Sequence, residues 1–576
     1  MVQLSWILLK RKLLRSELRL IMTFFLKFRK NFFKDKFIYV LLMIIFISGA
    51  FLRFYNLNWD EGLGFHPDER NIINSVQNIQ IPGNLNPHFF AYGSLPIYLI
   101  RLIAKVIDFV TRSDTIYNYG SLNLIGRSLS ALFSTFSILL IFFLGLKLAD
   151  RRVGLLAAFL LAATPGLIQA AHYSVTESWL IFFLLILSLF GLKIYKNTDY
   201  KIWLLMAAVS GLALGTKISA AIFLFIPLTT LVLIREKLSK KIFWAISFLL
   251  ILGLVYLLIS PYSLLDFSSF YRSLKYEYSV ATGKIAVYYT IQFLNTTPYF
   301  FFIKNLFWQT NIILPLLGLL GLVFWLIDCF KKENFKAMPF LFFGLVFFIY
   351  VGSWQTKFIR YMLPFIPVLI LAASWLVVKI SNHKKLLHLG FSLTILLIIF
   401  SFFWTLAFQK IYTKENTRII ASKWIYQNIP QDSTLVIEHW DDPLPARLKN
   451  ENPQKYQYEV MRNYDPETSS KIAEMSQTLA NGDYLILSSR RLSGTIPKDT
   501  ENYPLTSKYY EKLFQGDLGY RSVFEVTSYP RLGKREIVDD KAEETFQVFD
   551  HPVVKIFKNA HQLNKIEIEN ILKRQQ

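Results

Sequence analysis

The sequence predicts a polytopic α-helical membrane protein with a soluble α/β domain at its C-terminal end. Hydrophobic residues make up 53% of the 576 positions and charged residues only 18%, whereas an average soluble chain carries roughly 25% charge. Long apolar stretches recur between residues 37 and 408, and residues 409–576 alternate between helical and strand patterns. These features exclude a disordered chain, which needs low hydrophobicity and few aromatic residues.

The charge distribution argues against nucleic-acid binding in spite of a net charge of +23. Residues 409–576 carry 24 basic and 24 acidic residues, residues 1–36 carry ten basic and two acidic residues, and the remaining excess lies in short loops. Basic loops beside apolar stretches are typical of the cytoplasmic side of a membrane, where anionic lipid headgroups attract them. The sequence therefore predicts membrane lipids, and no nucleic acid, as partners.

Residues 1–36 are predicted to form a basic arm in the cytoplasm or on the membrane surface, because their apolar runs are too short to span a bilayer. The arm shows no small-residue cleavage site, so it is not expected to be a cleaved signal peptide. Met22 is an alternative start of the chain. The single cysteine, Cys329, excludes a disulfide framework.

Residues 37–408 are predicted to form a transmembrane domain of eleven spans. The spans are Phe37–Leu52, Leu122–Leu148, Val153–Ala171, Ser178–Leu192, Ile202–Thr216, Ile218–Ile234, Ile242–Ser260, Phe307–Phe330, Phe340–Gly352, Tyr361–Val378 and Leu386–Phe408. If the chain starts inside, every predicted inside loop is basic, as the positive-inside rule requires. These loops hold Arg151 and Arg152; Lys193, Lys196 and Lys201; Arg235, Lys237, Lys240 and Lys241; Lys331, Lys332 and Lys336; and Lys379, Lys384 and Lys385.

Three predicted outer segments are long: residues 53–121, residues 261–306 and, because the span count is odd, residues 409–576. The apolar stretch Leu95–Val110 lies in the first of them and has charged residues at spacings of four and three. Such a stripe occupies one helical face, which predicts a helix lying flat on the membrane. In the third segment, Thr417–Asn428 is predicted to be a helix, and Ser433–His439, Asp483–Ser488 and Val553–Phe557 are predicted strands.

A carboxylate pair follows the first span, in the run Gly64-Phe65-His66-Pro67-Asp68-Glu69-Arg70. One interpretation is a helix start, because proline suits the first helical position and acidic residues complement the helix dipole. The other interpretation is chemical, because carboxylates at a membrane surface can act as a general base or bind a cation. These residues alone leave both interpretations open.

The context of this pair resembles the GT-C glycosyltransferases, in particular the protein O-mannosyltransferase and aminoarabinose transferase group, glycosyltransferase family 39. The resemblance covers roughly residues 37–410. It rests on the carboxylate pair and on several further segments: Tyr92-Gly93-Ser94-Leu95-Pro96-Ile97-Tyr98, Gly126-Arg127-Ser128, Asp150-Arg151-Arg152-Val153-Gly154-Leu155-Leu156-Ala157-Ala158, Gly211-Leu212-Ala213-Leu214-Gly215-Thr216-Lys217, Thr296-Thr297-Pro298 and Lys357-Phe358-Ile359-Arg360-Tyr361-Met362-Leu363-Pro364.

The resemblance implies an inverting transfer of a sugar from a polyprenyl-phosphate donor to an acceptor hydroxyl. The reaction would take place at the outer face of the cell membrane, and the acceptor would be a protein, a lipid or a glycan. Asp68 matches the family's catalytic base, and Glu69 lies beside it. The family includes metal-independent members and relatives that use a divalent cation, so the need for a cation stays open.

Three cations near outer span ends are candidates for the lipid phosphate: Lys217, Arg360 and Arg127. Lys217 interrupts an apolar stretch at a predicted outer turn, and arginine can bind phosphate through two hydrogen bonds. The alternative for Lys217 is a lysine that merely extends to the membrane interface.

Four further residues of the outer loops are candidates for the acceptor site or for a second acidic position: Glu177, His172, His66 and Tyr92. Glu177 could equally belong to a capped helix start. His66 could shuttle a proton, although a lone loop histidine more often does not. A multi-pass transporter or lipid flippase is the alternative function, but such proteins usually contain internal repeats, and no repeat is visible.

Overall fold

The computed structural model describes residues 35–331 and 335–573. The predicted N-terminal arm, apart from its last two residues, and Lys332 lie outside the described residues. The helices that precede the C-terminal domain are α1 Asp35–Phe54, α2 Pro67–Asn78, α3 Ser94–Thr111, α4 Tyr119–Leu148, α5 Arg151–Ala162, α6 Pro165–Ala171, α7 Glu177–Lys196, α8 Tyr200–Thr216, α9 Phe225–Leu233, α10 Leu238–Ile259, α11 Tyr262–Leu265, α12 Phe267–Ala281, α13 Phe300–Gln309, α14 Leu314–Phe330, α15 Met338–Gly352, α16 Ile366–Asn382 and α17 Leu387–Gln409.

Every predicted span corresponds to an apolar helix or helix pair. Among the described residues, seven helices are long and apolar enough to cross a membrane, and the bent pair of α5 and α6 makes an eighth. The three remaining predicted spans correspond to shorter apolar helices, Tyr200–Thr216, Ile218–Leu233 and Leu314–Phe330. The predicted flat helix is α3, which is not among the spanning candidates. The polytopic fold class is confirmed, and the count of eleven spans stays a prediction.

Several predicted spans are interrupted, which the apolar pattern did not predict. The span predicted at Val153–Ala171 is broken at Ala163 and Thr164, and α5 and α6 meet at a bend of 58°. Pro165 explains the break, because it cannot donate a helical hydrogen bond and it keeps Thr164 extended. Arg53 of α1 is fully buried and donates to the carbonyl oxygens of Leu161 and Ala162, at 2.9 and 3.1 Å.

Other interruptions occur where further site residues lie. The predicted span after Lys217 begins with the 3₁₀ helix Ile218–Leu224 before α9. The 3₁₀ helix Ile359–Phe365, which contains Arg360 and Pro364, precedes α16. The predicted span Phe307–Phe330 is divided between α13 and α14, so its first residues belong to a separate helix.

Several of the predicted inside loops meet at one end of the helix bundle. The Lys336 ammonium donates to the carbonyl oxygen of Lys147 at 2.8 Å, and Arg152 donates to the Asn382 side chain at 2.9 Å. Arg360, which pairs with Asp68, precedes α16, whereas Asn382 ends it, so that pair lies at the opposite end of this helix. The contacts therefore gather these basic loops away from the candidate site residues.

Residues 409–576, called the tail below, contain an α/β domain whose main sheet has both parallel and antiparallel strands. Its helices are α18 Thr417–Asn428, α19 Ser469–Asn481, α20 Pro504–Gln515 and α21 Lys565–Lys573, and its strands are β1 Thr434–Glu438, β2 Gln457–Met461, β3 Tyr484–Leu487, β4 Tyr520–Val526, β5 Arg531–Leu532, β6 Arg535–Glu536 and β7 Val554–Asn559. The main sheet has the order β2-β1-β3-β7-β4. Strand β1 is parallel to β2 and β3, and β7 is antiparallel to β3 and β4.

The predicted helix and the three predicted strands of the tail are present, within one or two residues at most of their ends. Strands β2 and β4 were not predicted, because only Met461 of β2 and Tyr520 of β4 are buried and neither strand shows a clear apolar alternation. Buried side chains on both faces of β3 make it the most apolar strand. The tail packs against the bundle end that carries the carboxylate pair, where Arg70 bonds to Asp442 at 2.6 Å.

Candidate active site

The carboxylate pair lies in the first turn of α2, as the helix-start interpretation predicts. His66 is the N-cap, and its Nδ1 accepts a hydrogen bond from the Asp68 amide at 3.2 Å. Pro67 occupies the first helical position. Because consecutive helical residues point about 100° apart, Asp68 and Glu69 enter different surroundings. The helix start and the chemical interpretation are therefore compatible.

Glu69 points into a buried ion-pair network, called the closed cluster below, with Asp60 and Arg127. The Arg127 guanidinium donates to both Glu69 oxygens at 2.7 and 2.8 Å and to both Asp60 oxygens at 2.8 and 2.9 Å. It also donates to the Leu57 carbonyl oxygen at 2.8 Å. Glu69 accepts a further bond from the Ser174 amide at 2.6 Å. All three charged side chains are 0–1% exposed.

This geometry revises two expectations. Every N–H of Arg127 is already bonded to the protein, so Arg127 has no donor left for a lipid phosphate. Glu69 is enclosed with it and cannot reach a ligand. Burial raises the pKa of Glu69 in spite of Arg127, whereas Arg127 lowers the pKa of Asp60 against the effect of burial. The closed cluster joins α2 to α4 and has the geometry of a structural element.

Asp68 points to the other side of α2 and pairs with Arg360. The distance between Asp68 Oδ2 and Arg360 Nη1 is 3.0 Å, and each side chain is 20% exposed. Burial alone would raise the pKa of Asp68, but the charges of Arg360 and Lys217 outweigh it and hold that pKa below its usual value. Asp68 is therefore ionised at neutral pH and has a cation at its side.

Lys217 and Glu177 form a second pair in the same region. Lys217 Nζ lies 3.3 Å from Glu177 Oε1. The ammonium also lies 4.8 Å from the centre of the Tyr92 ring and 5.8 Å from that of Tyr361, within the range of cation–π attraction. Asp68, Glu177, Lys217 and Arg360 are called the open cluster below. Its two positive and two negative charges balance.

The open cluster leaves polar atoms without partners. Glu177 Oε2 and Arg360 Nε are buried without a hydrogen bond, whereas Asp68 Oδ2 is engaged in its ion pair with Arg360. Glu177 and Arg360 also line a cavity of about 30 Å³, together with Tyr173 and Gln309, whose side-chain oxygens are unpartnered as well. Since buried polar groups are nearly always bonded, these atoms indicate water or a ligand at this place.

The structure separates the two candidate histidines. His66 packs between Tyr173 and Phe549, and burial lowers its pKa to about 3, so it is neutral at physiological pH. His172 lies apart from the open cluster, with its ring nitrogens 2.8 and 2.9 Å from the carbonyl oxygens of Ile168 and Tyr55. The expectation that His172 belongs to an acceptor site does not fit this enclosed position.

Two acidic residues of the site were missed in the sequence. Asp60 follows the first span without any motif, and only its bonds to Arg127 reveal its role. Glu277 on α12 is exposed at the rim of the open cluster, in range of the charges of Lys217 and Arg360, and partial enclosure raises its pKa. Glu277 is one of two acidic residues in the long outer segment 261–306, and it carried no signal beyond its location.

The carboxylates do not fit a divalent-cation site. In residues 35–331 and 335–573, no group of three or more His, Cys, Asp or Glu side chains is arranged to hold a metal ion. Asp68 and Glu177 are each already paired with a cation, and the charges of the open cluster balance without an added ion.

Comparisons with known proteins agree with the sequence resemblance. Residues 115–261 match the family model of dolichyl-phosphate-mannose-protein mannosyltransferases. The archaeal oligosaccharyltransferase AglB from Archaeoglobus fulgidus, solved with an inhibitory peptide and a dolichol-phosphate, is similar with a TM-score of 0.53 and 16% identity, over 83% of this chain and 72% of AglB. The Archaeoglobus fulgidus oligosaccharyltransferase in the apo form has the same TM-score and 14% identity, over 91% of this chain and 89% of its own.

ArnT from Cupriavidus metallidurans, bound to undecaprenyl phosphate, gives a TM-score of 0.44 and 13% identity, over 67% of this chain and 72% of ArnT. No curated protein sequence matches the chain significantly. At these identities, the likeness to the oligosaccharyltransferases concerns the fold. The chain has the fold of the GT-C glycosyltransferases, as its sequence predicts.

Proposed function

We propose that this protein transfers a sugar from a polyprenyl-phosphate carrier to an acceptor hydroxyl, with Asp68 as the general base. The open cluster carries this proposal, because an ionised carboxylate lies beside two cations and polar atoms near it lack partners. The match to a mannosyltransferase family model and the shared fold with AglB, which was solved with a dolichol-phosphate, support a lipid-linked donor.

The reaction needs one base and positive charge, and the open cluster contains both. The acceptor oxygen attacks the anomeric carbon of the sugar, its proton passes to Asp68, and the bond between that carbon and the phosphate oxygen breaks. Polyprenyl phosphate leaves, and attack opposite to it inverts the anomeric configuration. Arg360 and Lys217 would stabilise the phosphate charge that develops as the bond breaks.

The pair between Asp68 and Arg360 links donor binding to base strength. A donor phosphate that takes hydrogen bonds from Arg360 draws the guanidinium charge away from Asp68. The pKa of Asp68 would then rise towards its ordinary value or above it, which makes the carboxylate a better proton acceptor. The base would therefore gain strength when a donor is present.

The other candidate residues take supporting roles in this proposal. Glu177 orients Lys217 through the 3.3 Å contact, and Tyr92 lies against the same ammonium. Glu69 and Arg127, expected at first to act in catalysis and donor binding, instead fix the start of α2. His66 holds the Asp68 backbone as the helix cap.

We place this site at the outer face of the cell membrane, with the N-terminus in the cytoplasm and the tail outside. The basic loops gathered at the opposite bundle end support this orientation. Reporter fusions at Gln409 and Lys241 should report opposite compartments. The same compartment at both positions would overturn the arrangement.

Transfer by the purified protein tests the function directly. The protein is reconstituted in lipid nanodiscs with radiolabelled polyprenyl-phosphate hexoses or pentoses and with protein, lipid or glycan acceptors. We expect labelled product and free polyprenyl phosphate with one donor class, and loss of both with Asp68→Asn. Equal turnover in Asp68→Asn would contradict the proposal. Movement of the intact donor across liposomes without transfer would favour the flippase alternative.

A further inference from the structure

The tail segment formed by residues 539–551, called the docking segment below, is unusual in its burial. Residues 542–551 are all buried, although they include Glu543, Glu544, Asp550 and His551. The segment contains one short 3₁₀ helix, Glu544–Phe546. Buried charged groups need hydrogen-bond or ion-pair partners. The partners of this segment show which parts of the transmembrane domain it contacts.

The transmembrane domain bonds the docking segment at both ends. The Asn305 side chain of α13 accepts from the Glu543 amide at 2.8 Å. The Gln169 amide group of α6 donates to the Phe546 carbonyl oxygen at 2.9 Å and to the Asp550 carboxylate at 3.1 Å. These bonds tie the segment to α6 and to α13.

Two contacts reach the immediate neighbours of the reactive ion pair. The Glu543 carboxylate accepts from the backbone amide of Ile359 at 3.2 Å, directly before Arg360. The Phe549 ring packs on the His66 ring with centroids 4.0 Å apart, and His66 caps the turn that holds Asp68. Thr545 and Phe549 also line the small cavity beside Arg360 and Glu177.

From these contacts, and on the basis of the proposed function, we infer that the docking segment positions the Asp68–Arg360 pair. Glu543 and Phe549 are positioning residues: Glu543 fixes the backbone of Arg360, and Phe549 fixes the cap of the helix that carries Asp68. The tail is thereby a part of the reaction centre, although neither residue touches the reacting atoms.

A buried histidine between two aspartates holds the docking segment together. His551 Nδ1 lies 2.5 Å from Asp550 and His551 Nε2 lies 2.8 Å from Asp539. The Tyr412 hydroxyl, at the point where the chain enters the tail, donates to Asp550 at 2.7 Å. The segment is therefore closed on itself as well as bonded to the bundle.

Variants of Glu543 test the inference in the full-length protein in nanodiscs. Glu543→Ala should remove hydrogen-exchange protection of the Ile359 amide, measured by mass spectrometry. It should also lower the kcat of transfer by up to roughly a hundredfold, as expected when a reacting group is displaced, with a smaller loss of affinity for undecaprenyl phosphate. Glu543→Gln keeps an oxygen acceptor for the amide and should restore both protection and kcat.

Trp440→Leu is the matched control, because Trp440 contacts Tyr288 of the outer segment without touching the open cluster. It should keep Ile359 protection and kcat. Normal kcat in Glu543→Ala, alongside an inactive Asp68→Asn, would overturn the positioning role and leave the proposed function standing. If Asp68→Asn retains activity, the proposed function fails, and Ile359 protection still reports whether the segment holds this backbone.

Discussion

The two neighbouring carboxylates of α2 enter clusters with opposite properties. In the closed cluster, every N–H of Arg127 is bonded, and its charged side chains are 0–1% exposed. In the open cluster, each charge has one partner, Asp68 and Arg360 are 20% exposed, and several buried atoms have no hydrogen bond. Unused bonding capacity, more than the presence of charge, therefore distinguishes a site for ligands from a structural ion pair.

Substitutions of the two carboxylates should separate the two clusters most clearly. Asp68→Asn should lower sugar transfer by about two to four orders of magnitude, the usual contribution of a general base, while the protein stays folded. Glu69→Gln should instead lower the thermal unfolding temperature, because Arg127 loses a charged partner. Transfer rates and melting curves of both variants check this. A larger loss of transfer per folded molecule in Glu69→Gln would move the base to the closed cluster.

Arg127→Leu should strongly destabilise the protein, because it leaves Asp60 and Glu69 buried without a counter-charge. Breaking a buried ion pair from one side costs about 3–5 kcal/mol, which denaturation in detergent can measure. The triple variant Asp60→Leu, Glu69→Leu, Arg127→Leu is the control, since replacing all partners by apolar residues is much less costly. A mild effect of Arg127→Leu on stability, with weaker donor binding, would contradict the structural role.

Lys217→Gln and Arg360→Gln should weaken undecaprenyl phosphate binding with little effect on folding. Losing one charge-assisted hydrogen bond costs about 1.5–3 kcal/mol, or roughly ten- to a hundredfold in Kd. Lys284→Gln is the matched control, since Lys284 also lies over a tyrosine ring, at 5.0 Å from that of Tyr278, but outside the open cluster. Equal Kd values for all three variants and the parent would remove both cations from the donor site.

The smallest effect near neutral pH is expected from His551 of the docking segment. Asp550 and Asp539 outweigh burial and raise the pKa of His551 to about 10. A raised pKa stabilises the folded state fully below the unfolded pKa of about 6.5, and the stabilisation is lost as pH rises through the folded pKa. Exchange protection of residues 539–551 should therefore decline from pH 7 to pH 10, and His551→Gln should remove that dependence. A flat profile in the parent protein would exclude the charged pair.

The apolar pattern predicted the membrane helices, because hydropathy is a local property of the chain. It did not predict their breaks, although Pro165 and Pro364 mark two of them, because apolar length alone does not register the missing proline amide. In the tail, the partly exposed β2 and β4 lacked the apolar alternation that identified β1.

For the site, the sequence pointed to Asp68, Lys217 and Arg360 as charges at helix ends, and the structure brings these three together. The roles of Glu69 and Arg127 depended on Asp60, which no spacing connects to them. The docking segment lies more than 470 positions after His66 in the chain, and only the tertiary structure joins two regions at such a separation.

The break between α5 and α6 has a consequence for biogenesis. Helices of 12 and 7 residues are each too short to cross a bilayer, and the break between them leaves carbonyl groups without helical partners, which lipid could not satisfy. Arg53 donates hydrogen bonds to two of these carbonyls. These bonds in turn offset part of the free energy that burying the guanidinium costs. Neither the first hydrophobic segment nor the broken one has all of its polar groups bonded alone, so we expect the two segments to enter the lipid together.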